Sequence, residues 1–355
     1  MRDLIEIDGS HGEGGGQMMR SAVALSLLTS IPFRMINIRA GRATPGLKAQ
    51  HMHALKAASR VWRATVAGAN VGSQVVMFHP GRIKGATFEV NIGTAGSLTL
   101  LLQALLPAML FADGRTIATL RGGTDVNQSP TWEFFARVVA PAAAPLANRL
   151  EVACGKRGFY PKGGGEVRID VEPRTAGSFG EVREAIRSQL PPVAMVEAGG
   201  IESIDVVSIA HEELRKQSVV ERQLASAVEA LGKLRARVVP HKQYVEAMSI
   251  GTAVTVVASL SSGARLGADA LGERGKRAEE VGREAAAKMV REIESGAPVD
   301  EHLGDHLVPW LALRGGSFRT SVITEHTRTN CWLVEQFLGP TFGIDEGSRI
   351  ISCLS

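Results

Sequence analysis

The stretch at 22–41, AVALSLLTSIPFRMINIRAG, and the stretch at 100–123, LLLQALLPAMLFADGRTIATLRGG, run through the same order of elements. Each reads as an apolar helix, a short turn, a strand and then Arg-x-Gly. In the first copy Arg39 and Gly41 lead to Pro45 and a helical stretch from Leu47 to Trp62; in the second, Arg121 and Gly123 lead to Pro130 and a helix from Thr131 to about Leu146. The offset is 82 residues at the Arg and Gly and 85 at the Pro, so the second loop is three residues longer. A third copy follows at Leu307–Gly316, LVPWLALRGG, which matches Leu105–Gly114, LLPAMLFADG, and puts Asp305 at the place of Gln103. Self-similarity of this kind predicts an α+β fold in which three repeated units pack into one large domain. It also predicts that the equivalent loops 39–46, 121–130 and 320–328 meet.

Between the second and third copies the texture changes. Ser203–Ala210, SIDVVSIA, reads as a strand. Ser218 and Glu221 have capping-box spacing ahead of a helix that Gly232 ends. Further strands are predicted at 236–240 and 252–260, and a helix from Glu279 to Ser295 returns the chain to the repeats. The expected division is a large domain made of 1–183 and 278–355, interrupted by a smaller α/β insert at 184–277. Insertions are tolerated where their ends emerge together at a surface. Replacing the insert by a Gly/Ser linker is therefore expected to leave the chemistry of the repeats intact.

Composition agrees with a globular protein of about two domains. The 355 residues are 45% hydrophobic and 21% charged, with a net charge of +4; single cores stop growing near 250 to 300 residues. That charge allows a polyanionic partner without requiring one. Cys154, Cys331 and Cys353 are too few and too scattered for a disulfide framework, which suits a reducing compartment. The start, MRDLIEIDG, lacks the regions of a signal peptide, and the longest apolar stretch, 97–112, is interrupted by Gln103 and Pro107. A cytoplasmic protein without a membrane anchor is expected.

The residues suited to chemistry sit in loops. Ile5–Leu28 reads as a strand, a Gly-rich loop and a helix, an arrangement that points backbone N–H groups at an anion. It is neither a Walker A loop nor a dinucleotide fingerprint, because Gly12–Gln17 (GEGGGQ) ends in Gln. On its own it is an anion site or a plain tight turn. Arg20 one turn into the helix favours the anion, since a guanidinium grips phosphate bidentately. Arg39 and Arg42 add donors in the next loop, with Gln50 and His51 in the helix behind it. One such arginine is a solvated turn; Arg20, Arg39 and Arg42 together favour phosphate. His302 and His306 share a helix face but lack a zincin pattern. Glu13 holding Mg²⁺ through a nucleotide is the better metal reading, because Mg²⁺ takes one or two carboxylates plus phosphate oxygens.

These segments carry a family resemblance. DGSHGEGGGQMMRSA at 8–22, IRAGRATPGLKAQHMHALKAA at 38–58, IGTAGSLTLLLQALLPAMLFADG at 92–114, RGGTDVNQSP at 121–130 and above all RGFYPKGGGEV at 157–167 resemble the successive signatures of the RNA 3'-terminal phosphate cyclases. The resemblance spans 4–180 and 279–340. It implies an ATP-dependent ligase that converts an RNA 3'-phosphate into a 2',3'-cyclic phosphate, releasing AMP and pyrophosphate, with Mg²⁺ or another divalent cation present. It also implies a covalent histidine–AMP intermediate, which falls on His326 in ITEHTRTN. By the same resemblance Glu13 and Arg20 flank the ATP phosphates and Glu13 the metal. Gln103, Pro130 and the stretch with His302, Asp305 and His306 form the nucleotide pocket. Arg39, Arg42, Gln50 and His51 serve nucleotide or RNA phosphates. Where the family usually reads Asp-Gln this chain has Asp305-His306, which bears on nucleotide preference and pH profile. The family fold, three units of two helices and a four-stranded sheet, is similar to that of the enolpyruvyl transferases. A non-catalytic relative in ribosomal RNA processing is the alternative; it lacks the nucleophilic histidine.

Overall fold

The structure, a computed structural model, describes residues 4–12 and 14–354. The first unit comprises β1 (Ile5–Asp8), α1 (Gly16–Thr29), β2 (Phe33–Ile36), α2 (Ala49–Trp62), β3 (Thr65–Ala67) and β4 (Val76–His79). The second runs through β5 (Thr87–Asn91), α3 (Leu98–Leu110), β6 (Thr116–Gly122), the short helices α4 (Trp132–Phe134) and α5 (Ala140–Ala143), β7 (Ala147–Lys156) and β8 (Gly165–Pro173). Next come α6 (Phe179–Gln189), β9 (Val193–Met195), β10 (Ile201–His211), α7 (Val219–Leu231), β11 (Val238–Val245), β12 (Thr252–Leu260), β13 (Arg265–Leu271) and α8 (Ala278–Glu294). The chain ends with α9 (Glu301–Arg314), β14 (Gly316–Arg319), α10 (Glu325–Leu338), β15 (Phe342–Asp345) and β16 (Ile350–Cys353).

Three of the four sheets share one topology. Their orders are β1-β2-β4-β3, β5-β6-β8-β7 and β9-β14-β16-β15. In each, the first two strands pair in parallel and the other pairings are antiparallel. The parallel pair needs a crossover, and α1, α3 and, after the long excursion, α9 precede its second strand in the three units. The repeat read from the Arg, Gly and Pro spacing is therefore a repeat of sheet topology.

α3 shows how the units fuse. Its sequence LTLLLQALLPAML is apolar on nearly every side, so it must be buried all round, and eleven of its thirteen residues are. It packs against α1 and α2, while α9 packs against α10 and α10 against α1. One hydrophobic cluster runs through all three units, from Ile7 and Phe33 through Leu102 and Phe135 to Leu311, Phe318 and Ile351.

The fourth sheet, β11-β10-β12-β13, has its own core. Ile204, Val206, Val254 and Val256 meet Val220, Leu224 and Ala227 of α7 and Val281, Ala285 and Met289 of α8. This corrects the expected boundaries. The boundary at 277/278 falls at the N-terminal end of α8, whose apolar face belongs to the core of the fourth sheet. The boundary at 183/184 falls inside α6, ahead of β9, which is the first strand of the third unit's sheet. β13 was missed altogether, because RLGADAL is too poor in β-branched and aromatic residues to read as a strand.

The helix expected from Thr131 to Leu146 forms as one continuous helical run from 132 to 146, but it is not uniformly α, with Pro141 and Pro145 removing backbone donors. A π turn at Phe135–Val139 separates α4 from α5, and a 3₁₀ turn at Ala144–Leu146 ends the run. The capping box at Ser218 does not form either. Ser218 is left-handed (φ 50°) and its side chain makes no cap hydrogen bond. The amide of Val220 instead donates to Tyr244 Oη (3.1 Å), which donates to Glu221 (2.7 Å).

The signature at 157–167 turns out to be a joint. Arg157, 6% exposed, pairs with the fully buried Asp125 and with Glu133. A Cβ on Gly158 would lie 2.3 Å from the carbonyl oxygen of Gly122, so only glycine lets the segment between β7 and β8 lie against the end of β6. Phe159 packs on Val207 and Ile209 of the fourth sheet, and the amide of Lys162 donates to Ser249 Oγ (3.1 Å). Among the described residues no helix is long and apolar enough to cross a membrane.

Candidate active site

A cavity of about 460 Å³ lies where the helix starts of the three units meet the fourth sheet. α1 brings Gln17 and Arg20 to it, three residues apart and so on one helix face. α3 brings Gln103, the 127–130 segment brings Asn127, Gln128, Ser129 and Pro130, and α9 brings His302, Asp305 and His306. His326, the second residue of α10, completes this side. The rest of the wall is the end of β13 with the segment and helix after it: Asp269, Ala270, Leu271, Glu273, Lys276, Glu284 and Lys288.

His326 is positioned by the first turn of α10. Thr324 is its N-cap, accepting from the amide of Thr327 (3.0 Å). The hydroxyls of Thr324 and Thr327 both donate to Asp305 Oδ1, at 3.1 and 2.7 Å. That leaves Oδ2 toward the imidazole, 3.6 Å from Nδ1 of His326. Asn330 Nδ2 donates to the Asp305 carbonyl (2.9 Å), and Ser21 of α1 donates to Asn330 Oδ1 (2.8 Å). Gln17 Nε2 donates to the His326 carbonyl (3.2 Å). One polar network thus ties α1, α9 and α10 together behind the histidine, which is itself about 43% exposed.

Arg20 donates through Nε to Gln103 Oε1 (2.9 Å), so residues from the first and second units are locked together at the cavity floor. Burial lowers the guanidinium pKa to about 10, opposed by Asp305, and the group stays cationic at neutral pH. Burial also pulls His306 down to about 4, opposed by Asp305 and reinforced by His302 and Arg20. His306 is therefore a neutral imidazole, able to donate one hydrogen bond and accept one, as the amide of a glutamine also can. Its ring is tilted against Trp310, with centroids 6.5 Å apart. The ring of His302 stands edge-on to Phe134 at 5.9 Å.

Of the residues singled out in the sequence, Arg20, Gln103, Pro130, His302, Asp305, His306 and His326 share this cavity. Arg39, Arg42 and His51 are not in its lining. Arg39 is left-handed (φ 55°), 8% exposed, and its Nη1 donates to the carbonyls of Thr44 (2.8 Å) and Gly46 (3.1 Å), so it braces its own loop. His51 is buried, and its Nδ1 accepts from the amide of Lys48 (3.1 Å) at the start of α2. A Cβ on Gly16 would lie 2.0 Å from His51 Nε2, so the ring seats the start of α1. Burial first, then Arg20, Arg39 and Lys48, lower His51 to about 3 and keep it neutral. Arg42 is exposed. Gln50 lies in α2, and its side chain and the whole of Glu13 fall outside the described residues. The loops at 121–130 and 320–328 do converge, while the loop at 39–46 stands beside the Gly-rich turn instead.

Sequence reasoning missed Gln17, the 127–129 segment and the whole wall from 269 to 288. Gln17 had a signal, its helical spacing from Arg20. The wall had none, because it comes together only through the pairing of β12 with β13 and the docking of α8.

The family model described as RNA 3'-terminal phosphate cyclase matches residues 11–344. A protein of Pyrococcus abyssi named RNA 3'-terminal phosphate cyclase is 43% identical over 342 residues, covering 96% of this chain and 95% of its own. Relatives of the same name from Thermococcus onnurineus (44% over 344 residues, 96% of each chain) and Korarchaeum cryptofilum (40% over 348 residues, 97% of this chain and 95% of its own) are similar along their length. The chain belongs to the RNA 3'-terminal phosphate cyclase family.

Proposed function

We propose that this chain converts RNA 3'-phosphate ends to 2',3'-cyclic phosphates with ATP, using His326 as nucleophile. The observation that carries the reading is the pairing of His326 with Asp305 in a cavity that also holds Arg20 and Gln103. A carboxylate at Nδ1 favours the tautomer with its proton there and leaves the Nε2 lone pair as the nucleophile. Nε2 bonds to the α-phosphorus of ATP as the bond to the bridging oxygen breaks, and pyrophosphate leaves. An oxygen of the RNA 3'-phosphate then takes AMP from the histidine. The neighbouring 2'-hydroxyl, losing its proton, attacks the 3'-phosphorus, and AMP departs as the ring closes. Arg20 holds phosphate oxygens, while Gln103, Pro130, His302, Asp305 and His306 line the nucleotide pocket. Arg39, Arg42, Gln50 and His51 belong to the neighbouring loop and helix; there Arg42 is the exposed cation for a polynucleotide phosphate, and Arg39 and His51 shape its loop.

Mg²⁺ or another divalent cation, when bound, would supply charge neutralisation at the phosphates. Among the described residues no group of three or more His, Cys, Asp or Glu could hold a metal. By the family resemblance the cation would rely on substrate oxygens with Glu13. The test is to incubate the protein with a 3'-phosphorylated oligoribonucleotide, ATP and Mg²⁺. The terminal phosphate should become resistant to phosphatase, with AMP and pyrophosphate formed; an end that stays phosphatase-sensitive would refute the activity.

A further inference from the structure

The part of the cavity lining that follows β13 carries two lysines in an unusual setting. Lys276 and Lys288 share one carboxylate, Glu284: Lys276 Nζ bonds its Oε2, and Lys288 Nζ lies 3.1 Å from its Oε1. Each ammonium is also anchored to the end of β13, Lys276 on the Leu271 carbonyl (3.3 Å) and Lys288 on the Asp269 carbonyl (2.9 Å). Their side chains are only 25% and 37% exposed. An ammonium has three donors; each of these spends two on the protein, and both residues line the cavity.

The other carboxylates of the lining are committed elsewhere or stand apart. Asp269 Oδ2 accepts from the amide of Thr131 (2.7 Å), Asp305 is held by Thr324 and Thr327, and Glu273 is exposed. Glu284 alone sits between the two cations, where burial raises its pKa and the lysines more than offset that. Such a bridged pair is preorganised: the stems are fixed, and the shared carboxylate keeps two like charges side by side until an anion arrives.

We propose that Lys276 and Lys288 form a phosphate-binding element contributed by α8 and the segment leading into it, gripping a phosphate group of the substrate in the cavity that Arg20 and His326 also line. The inference rests on the reading above that the cavity takes ATP and a 3'-phosphorylated RNA end. Either could supply the phosphate, and direct binding separates them. ATP binding is followed by calorimetry, and a 3'-phosphorylated oligoribonucleotide is compared with its 3'-hydroxyl twin by fluorescence anisotropy. The proteins are wild type, Lys276→Met, Lys288→Met and Glu284→Gln, each first checked for folding by thermal melting.

Each Met variant is expected to weaken one ligand about tenfold or more. Loss confined to ATP assigns the triphosphate. Loss confined to the 3'-phosphorylated oligonucleotide, with a salt slope smaller by about 0.7 per lysine, assigns the RNA end. Glu284→Gln should bind the same ligand at least as tightly as wild type, since it removes a competing anion; a merely structural ion pair predicts a lower melting temperature with unchanged affinity instead. Folded Met variants with unchanged affinity for both ligands overturn the assignment. A wild-type protein that binds neither ligand and takes no label from ATP overturns the reading of the cavity as well.

Discussion

Asp305 Oδ2 lies 3.6 Å from Nδ1 of His326, and its other oxygen is pinned by the hydroxyls of Thr324 and Thr327. The carboxylate therefore has one face for the structure and one for the imidazole. Asp305→Asn keeps the shape and an acceptor while removing the charge that orders the Nδ1 proton. The rate of enzyme–AMP formation should fall about 100-fold, read in a single-turnover experiment. A rate equal to wild type would mean that Asp305 only holds α10.

Arg20 bridges α1 to Gln103 of α3 and remains cationic at the cavity floor. Arg20→Ala removes a charge-assisted contact worth roughly 1.5 to 3 kcal/mol, so kcat/KM should drop at least about tenfold. Arg20→Lys should recover only part of it, because an ammonium lacks the guanidinium fork. Full activity in Arg20→Lys would show that charge alone suffices.

Removal of the inserted sheet should now fail, contrary to the expectation from the repeat alone. Asp300, fully buried at the N-cap of α9, accepts from the amide of Gly267 in β13 (3.0 Å), and Asp269 accepts from Thr131 beside Pro130. The sheet thus braces both segments that flank the cavity and supplies one wall of it. Replacing 199–297 by a Gly/Ser linker should abolish labelling by ATP. A shortened protein labelled as fully as wild type would refute this.

Glu292 of α8 is 8% exposed. Burial, with Asp300 and Glu301 adding repulsion, raises its carboxyl from the ordinary 4.5 to about 7. The folded protein therefore binds this proton more tightly than the unfolded chain does, and stability falls as pH rises from about 4.5 to about 7. Glu292→Gln should be more stable than wild type at pH 8, by at most about 3 kcal/mol, and gain nothing at pH 4.5. Thermal melts at the two pH values check it; an equal effect at both would place the cost in packing rather than ionisation.

The three-unit architecture was legible because the repeat leaves marks in residues that geometry constrains: Arg39 just past the end of β2 and Arg121 near the end of the equivalent strand β6, and Pro107 and Pro309 inside equivalent helices. His326 and Asp305 were found from the family motif and the third copy, not from local chemistry. The edges of the insert were not legible. β9 is three residues long and pairs with β14, over a hundred residues on, and no local pattern records so distant a partner. For the same reason Lys276, Glu284 and Lys288 read as an ordinary charged helix approach. Arg39 and His51 read from the sequence as loop and helix polar residues, but the backbone bonds that Arg39 Nη1 and His51 Nδ1 make within their own segment depend on the turn and cap geometry and left no local mark.

The most direct measurement is the fate of the α-phosphate of ATP. Wild type and His326→Ala are incubated with α-labelled ATP and Mg²⁺, denatured and separated on a gel, with folding of the variant confirmed by its melt. The account predicts label on the wild-type chain, lost in acid and stable in alkali as a phosphorus–nitrogen bond requires, and none on His326→Ala. Full labelling of the folded His326→Ala chain would contradict it.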